Sequence, residues 1–397
     1  MSEKERMKIL QIHNHYGGHS GETSVMEKQL ELLENNGHQV RTYTRSSEEL
    51  KTIRHGAFKA FFTALYNPSS IDGITKAIQG FRPDIVHVHN LYPLVSPAIL
   101  PVIRGMGIPM VMTVHNYRLV CPNGLFYNKG GVCERCSGGK EWHCILQNCE
   151  ESLPKSIGYA VRNAWARIAR QYSENIDAFL CLTNFQKNKL VANGFQESKC
   201  HVVPNFIETG LAGESLAKKP GNKPGVLFIG RLNRQKGIDI IVESARRCPE
   251  VSFRLAGSVD TSFFNPDRVP PNVQLLGVID EDQKQSELLQ ASALVFASRS
   301  YEGFPMVFLE AMQQGTPVIA PRYAGYPEVI REGENGWLFG FNDPEDLART
   351  IRKVFAEPGQ AESMGRNGCR VLENEYSGEV WYRMYMDIVE KLPKVVS

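Results

Sequence analysis

The sequence predicts an α/β protein built from two Rossmann-like domains. Three observations carry that expectation. The chain has 397 residues, too long for one ordinary core, and two domains of about 200 residues each are the natural expectation. Short apolar runs alternate with helical stretches along its whole length. The rhythm breaks at 205–224, a stretch rich in Gly, Pro, Lys and Asn without periodicity, which reads as an interdomain linker.

Each element follows from its pattern. Strands that alternate with helices form parallel sheets covered on both faces, so they appear as continuous apolar runs. The first is 7–13, MKILQIH. A helix follows at about 22–36 and stops at Gly37. Further strands are expected at 84–88, 109–114 and 177–182. The second half repeats the rhythm with 226–230, 251–257, 273–277, 293–297 and 317–320. The segment EVWYRMYMDIVEKL has the apolar spacing of an amphipathic, packing helix. The expected division is 1–204, carrying a cysteine-rich insertion at about 117–152, then the linker 205–224, then 225–375. A final helix at 376–397 is expected to cross back to the first domain.

Composition narrows the class. The chain is 42% hydrophobic and 22% charged, with a net charge of +2. No global field marks a nucleic-acid binder. No apolar run approaches the roughly 20 residues that span a bilayer, and the start MSEKERMKILQIH lacks a signal-peptide core. The expected location is therefore cytoplasmic, where disulfides are rare. Five of the nine cysteines nevertheless fall between Cys121 and Cys149.

Two clusters carry chemistry. In GRLNRQKG, Gly230 to Gly237, a strand leads through a loop into a helix. Gly230 permits a tight turn and close ligand approach. Arg231 and Lys236 beside a helix N-terminus suit a diphosphate; alternatively they are two solvated surface charges. The second cluster is SRSYEGFPMVFLEAM, Ser298 to Met312. Pro305 fits the first helical turn, which leaves the amides of Gly303 and Phe304 beside the helix start. Glu302 precedes that helix and Glu310 lies inside it, so the two carboxylates can bind different hydroxyls of one extended ligand. A dipole partner at the helix start would explain Glu302 but not an acid within PMVFLEAM.

These clusters resemble the retaining GT-B glycosyltransferases, specifically family 4. The match consists of GRL…KG at 230–237, Glu302 with Glu310, the Gly17–Gly18 loop, DIVHVHN at 84–90 and TVHN at 113–116. The resemblance implies two Rossmann-like domains facing across a cleft and transfer from a nucleotide diphosphate sugar with retention. The acceptor would be a saccharide or lipid-linked saccharide in cell-envelope polysaccharide or lipopolysaccharide synthesis. It also implies roles. Arg231 and Lys236 would neutralise the donor diphosphate, Glu302 would accept from donor-sugar hydroxyls, and Glu310 from the ribose. Gly17 and Gly18 would approach the diphosphate, His115 would face the donor sugar, and Val278 and Ile279 would border the base. No cofactor is required for catalysis. Several of His13, His15, His87 and His89 are expected to be structural.

Other classes are weaker. No G-x-G-x-x-G follows a strand, as a nicotinamide enzyme would require. A phosphorylase would need a pyridoxal-lysine motif. A sugar-nucleotide epimerase on the same architecture would act without an acceptor, and a non-catalytic nucleotide-sugar binder would not turn over.

Two first-half features extend the expectation. In 51–66, Phe58, Phe61, Phe62 and Leu65 form one apolar stripe, and Ile53, Ala57, Ala60 and Ala64 another, with Lys51, Arg54 and Lys59 nearby. In 155–172, Ile157, Val161, Ala164, Trp165 and Ile168 share a face, with Lys155, Arg162, Arg167 and Arg170 around the polar side. These segments are either core-facing helices or a contact with the inner face of the cell membrane. The insertion holds Cys133 and Cys136 in a C-x2-C pair, the spacing of half a structural zinc site. Insertions with cysteines near these positions also occur in family-4 enzymes acting on surface polysaccharides. The resemblance thus favours Cys121, Cys133, Cys136 and Cys149 for structural zinc or iron, with Cys144 or His143 as substitute.

Overall fold

The computed structural model describes residues 6–16, 21–50, 56–208 and 225–393. They divide into two compact units. One lies within 1–125, 134–205 and 381–397; the other within 126–133 and 206–380. The expected linker falls mostly outside the described residues, as do Gly17, Gly18, Lys51, Ile53 and Arg54. The side chains of Ala57, Phe58, Lys59 and Ala60 are likewise outside.

The strands in chain order are β1 (Lys8–His15), β2 (Gln39–Ser46), β3 (Ile85–Val88), β4 (Met110–Val114), β5 (Tyr127–Asn128), β6 (Gly131–Val132), β7 (Ala178–Cys181) and β8 (Cys200–Val202). Those of the second half are β9 (Val226–Ile229), β10 (Phe253–Ala256), β11 (Val273–Gly277), β12 (Ala293–Val295), β13 (Val318–Pro321) and β14 (Gly336–Phe339). The first unit is a parallel sheet in the order β2-β1-β3-β4-β7-β8, and the second a parallel sheet in the order β11-β10-β9-β12-β13-β14. The second order is the doubly-wound 3-2-1-4-5-6 arrangement, and the first begins in the flavodoxin-like sequence 2-1-3-4-5.

Each sheet buries its own core. In the first, Leu10, Ile12, Val86, Val88, Met112 and Phe179 are almost fully covered. In the second, Phe228, Ile241, Phe253, Leu255, Val295 and Ile319 are. The strands β2, β8 and β14 were not evident as apolar runs. β2 lies at a sheet edge and is half-exposed, with Arg and Thr facing outward. The other two are also edge strands of their sheets.

The C-terminal helix Gly378–Val389 buries Trp381, Tyr382, Tyr385, Met386 and Val389. From Trp381 onward it belongs to the first unit. There Tyr382 shares a 2.8 Å hydrogen bond with His38, and Tyr385 stacks on His87. The helix Leu153–Ile168 does the opposite. Ile157, Val161, Trp165 and Ile168 are exposed, whereas Ser156, Arg162 and Asn163 are buried. The core-facing alternative for that segment is thereby corrected.

Candidate functional site

In an open α/β sheet, ligands bind beyond the strand C-termini where the strand order reverses. In the second unit that switch point lies between β9 and β12, which pair directly. The loop after β9 is GRLNRQKG, and the loop after β12 is ASRSYEGFP. Topology therefore puts both chemistry-bearing segments at one crevice.

Backbone packing explains the glycines. Gly237 has φ 72° and caps the helix Ile238–Arg247; a Cβ there would collide with the Ala297 carbonyl. Gly257, which follows β10, passes so close to the Gly230 carbonyl that a Cβ would also collide. Only glycine tolerates such approaches. Side chains then join the two loops. Arg299 grips both oxygens of Asp239 at 2.6 and 2.8 Å and donates to the Arg234 carbonyl at 3.0 Å. Gln235 donates to Ser300 Oγ at 3.0 Å, and Tyr326 donates to the Ser300 carbonyl at 2.7 Å.

On this frame Lys236 Nζ lies 2.7 Å from Glu302 Oε1, both about one-fifth exposed. Arg231 is exposed, with a 3.5 Å contact to Gln235. Gly303 and Phe304 are buried beside the start of the helix Met306–Gln313, whose cap is Pro305. Glu310, on that helix, pairs with Lys284 at 2.8 Å, and Lys284 also meets Glu281 at 2.9 Å. Burial works against the Lys284 ammonium, but the two carboxylates outweigh it and hold its pKa above the ordinary lysine value. Val278 and Ile279 directly follow β11, and Val278 is strongly exposed. The second unit thus holds two lysine–glutamate pairs, each partly exposed.

Several partners were not evident from sequence. Lys284 lies in EDQKQSELLQ, which reads as an ordinary surface helix; only its neighbour Glu281 is local. The hairpin β5–β6 comes from the cysteine-rich insertion yet belongs to the second unit. The Arg234 guanidinium lies against Gly130 of its turn, and Phe126 meets the Tyr301 ring at 5.5 Å.

The first unit's switch point lies between β1 and β3. Histidines gather there. His89 Nδ1 and His115 Nε2 are 2.9 Å apart, and His87 Nε2 meets Thr113 Oγ1 at 2.8 Å. The Asn90 N–H donates to His13 Nδ1 at 3.4 Å. Burial lowers the pKa of all four, with that of His13 and of His87 falling to about 3, so the cluster is neutral at pH 7. A small cavity beside it is lined by Glu22, His89, Asn90, His115, Asn116 and Arg118, among others. Asn116 donates to Glu22 at 2.7 Å, and Arg118 donates to the Tyr16 phenol at 2.5 Å. Tyr16 immediately precedes Gly17, and burial pushes its pKa up to about 12.

Four of the insertion's cysteines, Cys121, Cys136, Cys144 and Cys149, lie near one another. Cys133 belongs to the second unit, where its N–H donates to the Phe126 carbonyl at 2.8 Å. Cys121, Cys136, Cys144 and Cys149 belong to the first, where Cys136, Cys144 and Cys149 pack together against Ala160. Cys144 and Cys149 share a hydrogen bond that, with burial, pushes the Cys144 thiol up. The Cys121 thiol contacts Asn123 Oδ1 at 3.0 Å, and His143 stacks on Trp142. Among the described residues, no three His, Cys, Asp or Glu side chains converge as metal ligands.

Residues 20–211 match the model of Glycosyltransferase Family 4, and residues 216–371 that of Glycosyl transferases group 1. The solved structure of Anabaena HepE, in complex with UDP and glucose, is 15% identical with a TM-score of 0.66. The alignment covers 98% of this chain and 100% of that one. The chain has the GT-B fold of glycosyltransferases. Among curated relatives of this GT-B protein, an uncharacterized glycosyltransferase of Methanocaldococcus jannaschii is 30% identical over 198 residues, covering 49% of this chain and 54% of the relative. The lipopolysaccharide core biosynthesis glycosyltransferase LpsE of Rhizobium meliloti is 27% identical over 229 residues, covering 56% of this chain and 66% of LpsE. The chain therefore spans between about half and two-thirds of the length of these two relatives. No helix among the described residues is long and apolar enough to cross a membrane.

Proposed function

We propose that this GT-B protein is a retaining glycosyltransferase. It moves a sugar from a nucleotide diphosphate sugar to a saccharide or lipid-linked acceptor in envelope polysaccharide or lipopolysaccharide synthesis. One observation carries the reading: the ion pairs Lys236–Glu302 and Lys284–Glu310 stand in the second unit, whose switch point is flanked by the two chemistry-bearing loops. The domain matches in both halves support it. So does LpsE, whose name places it in lipopolysaccharide core biosynthesis.

The chemistry follows from charge. Breaking the glycosyl–phosphate bond leaves negative charge on the departing diphosphate. Lys236 and Arg231 stabilise that charge, and preorganisation strengthens the effect because the Glu302 pair already orients Lys236. The helix start after Gly237 adds its amides and dipole. Glu302 accepts from donor-sugar hydroxyls, Gly303 and Phe304 amides border the same sugar, and Glu310 accepts from the ribose. The resemblance assigns His115 to the donor sugar and Gly17 and Gly18, which lie outside the described residues, to the diphosphate. The acceptor oxygen attacks on the face the phosphate leaves and passes its proton to a phosphate oxygen, so Glu302 is not a covalent nucleophile. No metal takes part.

Incubation with labelled UDP-, GDP- and ADP-sugars, with and without lipid-linked envelope saccharides, tests the reading. UDP-sugars come first because HepE is described with UDP and glucose. Label is expected to move only when acceptor is present. Conversion of the sugar without acceptor would assign an epimerase instead, and binding without turnover would assign a carrier.

A further inference from the structure

The helix Leu153–Ile168 is built inside out. Its buried side carries Ser156, Arg162 and Asn163 with small Ala160 and Ala166. Arg162 is accommodated because it donates to the Pro122 carbonyl at 3.0 Å and lies over the rings of Tyr92 and Tyr159. Its outer side presents Leu153, Ile157, Val161, Trp165 and Ile168, between 38 and 67% exposed. These positions recur at four- and three-residue spacing, so they form one row. The row runs roughly 22 Å at 1.5 Å per residue. The short helix Trp142–Leu146 packs against it and adds exposed Trp142 and Leu146. Two of the chain's four tryptophans are therefore about half-exposed on neighbouring elements. Contiguous exposed apolar surface of this kind marks an interaction site.

We propose that this face docks the first unit onto an anionic lipid bilayer. The observations favour a bilayer over a folded partner. The face is an exposed helix row rather than a pocket. Indole rings suit the boundary between headgroups and acyl chains. Residues 153–170 contain Lys155, Arg162, Arg167 and Arg170 and no Asp or Glu. Of these, Lys155, Arg167 and Arg170 are exposed, the arrangement of a helix lying in the interface plane. Arg167 and Arg170 each hold a carboxylate, Glu141 and Glu174. Apolar burial therefore supplies the main attraction and charge the selectivity. The inference deepens the transferase reading by naming where a lipid-linked acceptor is met, yet it stands on this face alone.

Flotation of the full chain with vesicles tests it, without donor or acceptor. Vesicles containing phosphatidylglycerol are expected to carry the protein upward, and phosphatidylcholine vesicles to carry much less. The double variant Trp165→Glu, Ile168→Glu changes only exposed side chains. It is expected to lower the bound fraction at least tenfold with an unchanged melting curve. Lys155→Ala is expected to have a smaller effect. Absence of flotation, or equal flotation by the double variant, would overturn the proposal. A self-association that vanishes in that variant would also overturn it, by assigning the face to a second copy. Turnover of a water-soluble acceptor is measured separately, so failure of the donor assignment would be seen there and not here.

Discussion

The two units place opposite electrostatics at equivalent positions. Both are parallel sheets whose strand order reverses near the first strand, and both gather polar side chains beyond the strand C-termini there. In the second unit these side chains are charged, paired and reachable: Lys236 with Glu302 and Lys284 with Glu310. In the first, neutral histidines, three of them buried, gather beside Glu22 and Arg118. The contrast teaches that topology fixes where a site can lie, while burial decides what it can do. A half-open ion pair can exchange its partner for a ligand. A buried neutral imidazole can only shape a surface or share a proton.

The largest effect expected from this contrast is on stability at acid pH. His13 and His87 have folded pKa values of about 3, below the unfolded value of 6.5. The unfolded chain therefore binds more protons between these values, and stability falls as pH falls. The contribution is complete above about pH 6.5 and is lost progressively toward pH 3. Each such histidine steepens the dependence by at most about 1.4 kcal/mol per pH unit. Melting temperatures should drop between pH 7 and pH 5, and hydrogen exchange should locate the loosening in β1, β3 and β4 before the second unit. A melting temperature that is flat or rises on acidification would break the contrast.

The next effect is catalytic. Lys236→Ala and Arg231→Ala should each lower kcat/KM by about 10²-fold or more, the scale of losing one electrostatic stabiliser. Glu302→Gln should reduce transfer more than nucleotide binding. Wild-type turnover in both cation variants would move the diphosphate site elsewhere.

Legibility follows the same physics. Most strands of the α/β layers with both faces buried were readable, as in MVMTV and VLFI, although the fully buried edge strand β14 was not. β2 was not, because an edge strand keeps polar side chains. Arg231, Lys236, Glu302 and Glu310 stand out in sequence because each lies within a short loop or helix adjoining a strand end. Lys284 does not, because its tie to Glu310 spans 26 positions. The helix Leu153–Ile168 marks a different limit. Periodicity shows that an apolar face exists but not which way it points. Here Arg162 takes the inner side because Tyr92, Tyr159 and the Pro122 carbonyl receive it. Nor does the C-x2-C spacing show that the β5–β6 hairpin, with Cys133, belongs to the second unit.

The smallest effect is the most discriminating, because Glu310 has two possible duties. It is the counter-ion of Lys284, whose own second carboxylate is Glu281. It is also the proposed acceptor for the ribose hydroxyls. Glu310→Gln keeps the shape and removes the charge. If the residue only balances Lys284, the variant should melt lower while the Kd for the nucleoside diphosphate stays put. Glu281 would retain part of the ion pairing, so that loss should be modest. If Glu310 also receives the ribose, a hydrogen bond to a charged group is weakened, worth about 1.5–3 kcal/mol when lost entirely. The amide still accepts, so about a tenfold rise in Kd is expected by isothermal titration, and a larger one in Glu310→Ala. Lys284→Met supplies the control: it breaks the same pair but leaves the carboxylate, and should weaken nucleotide binding less than Glu310→Ala. Equal Kd values for wild type and Glu310→Ala would reduce Glu310 to a counter-ion and leave Lys236 with Glu302 as the one ligand-facing pair.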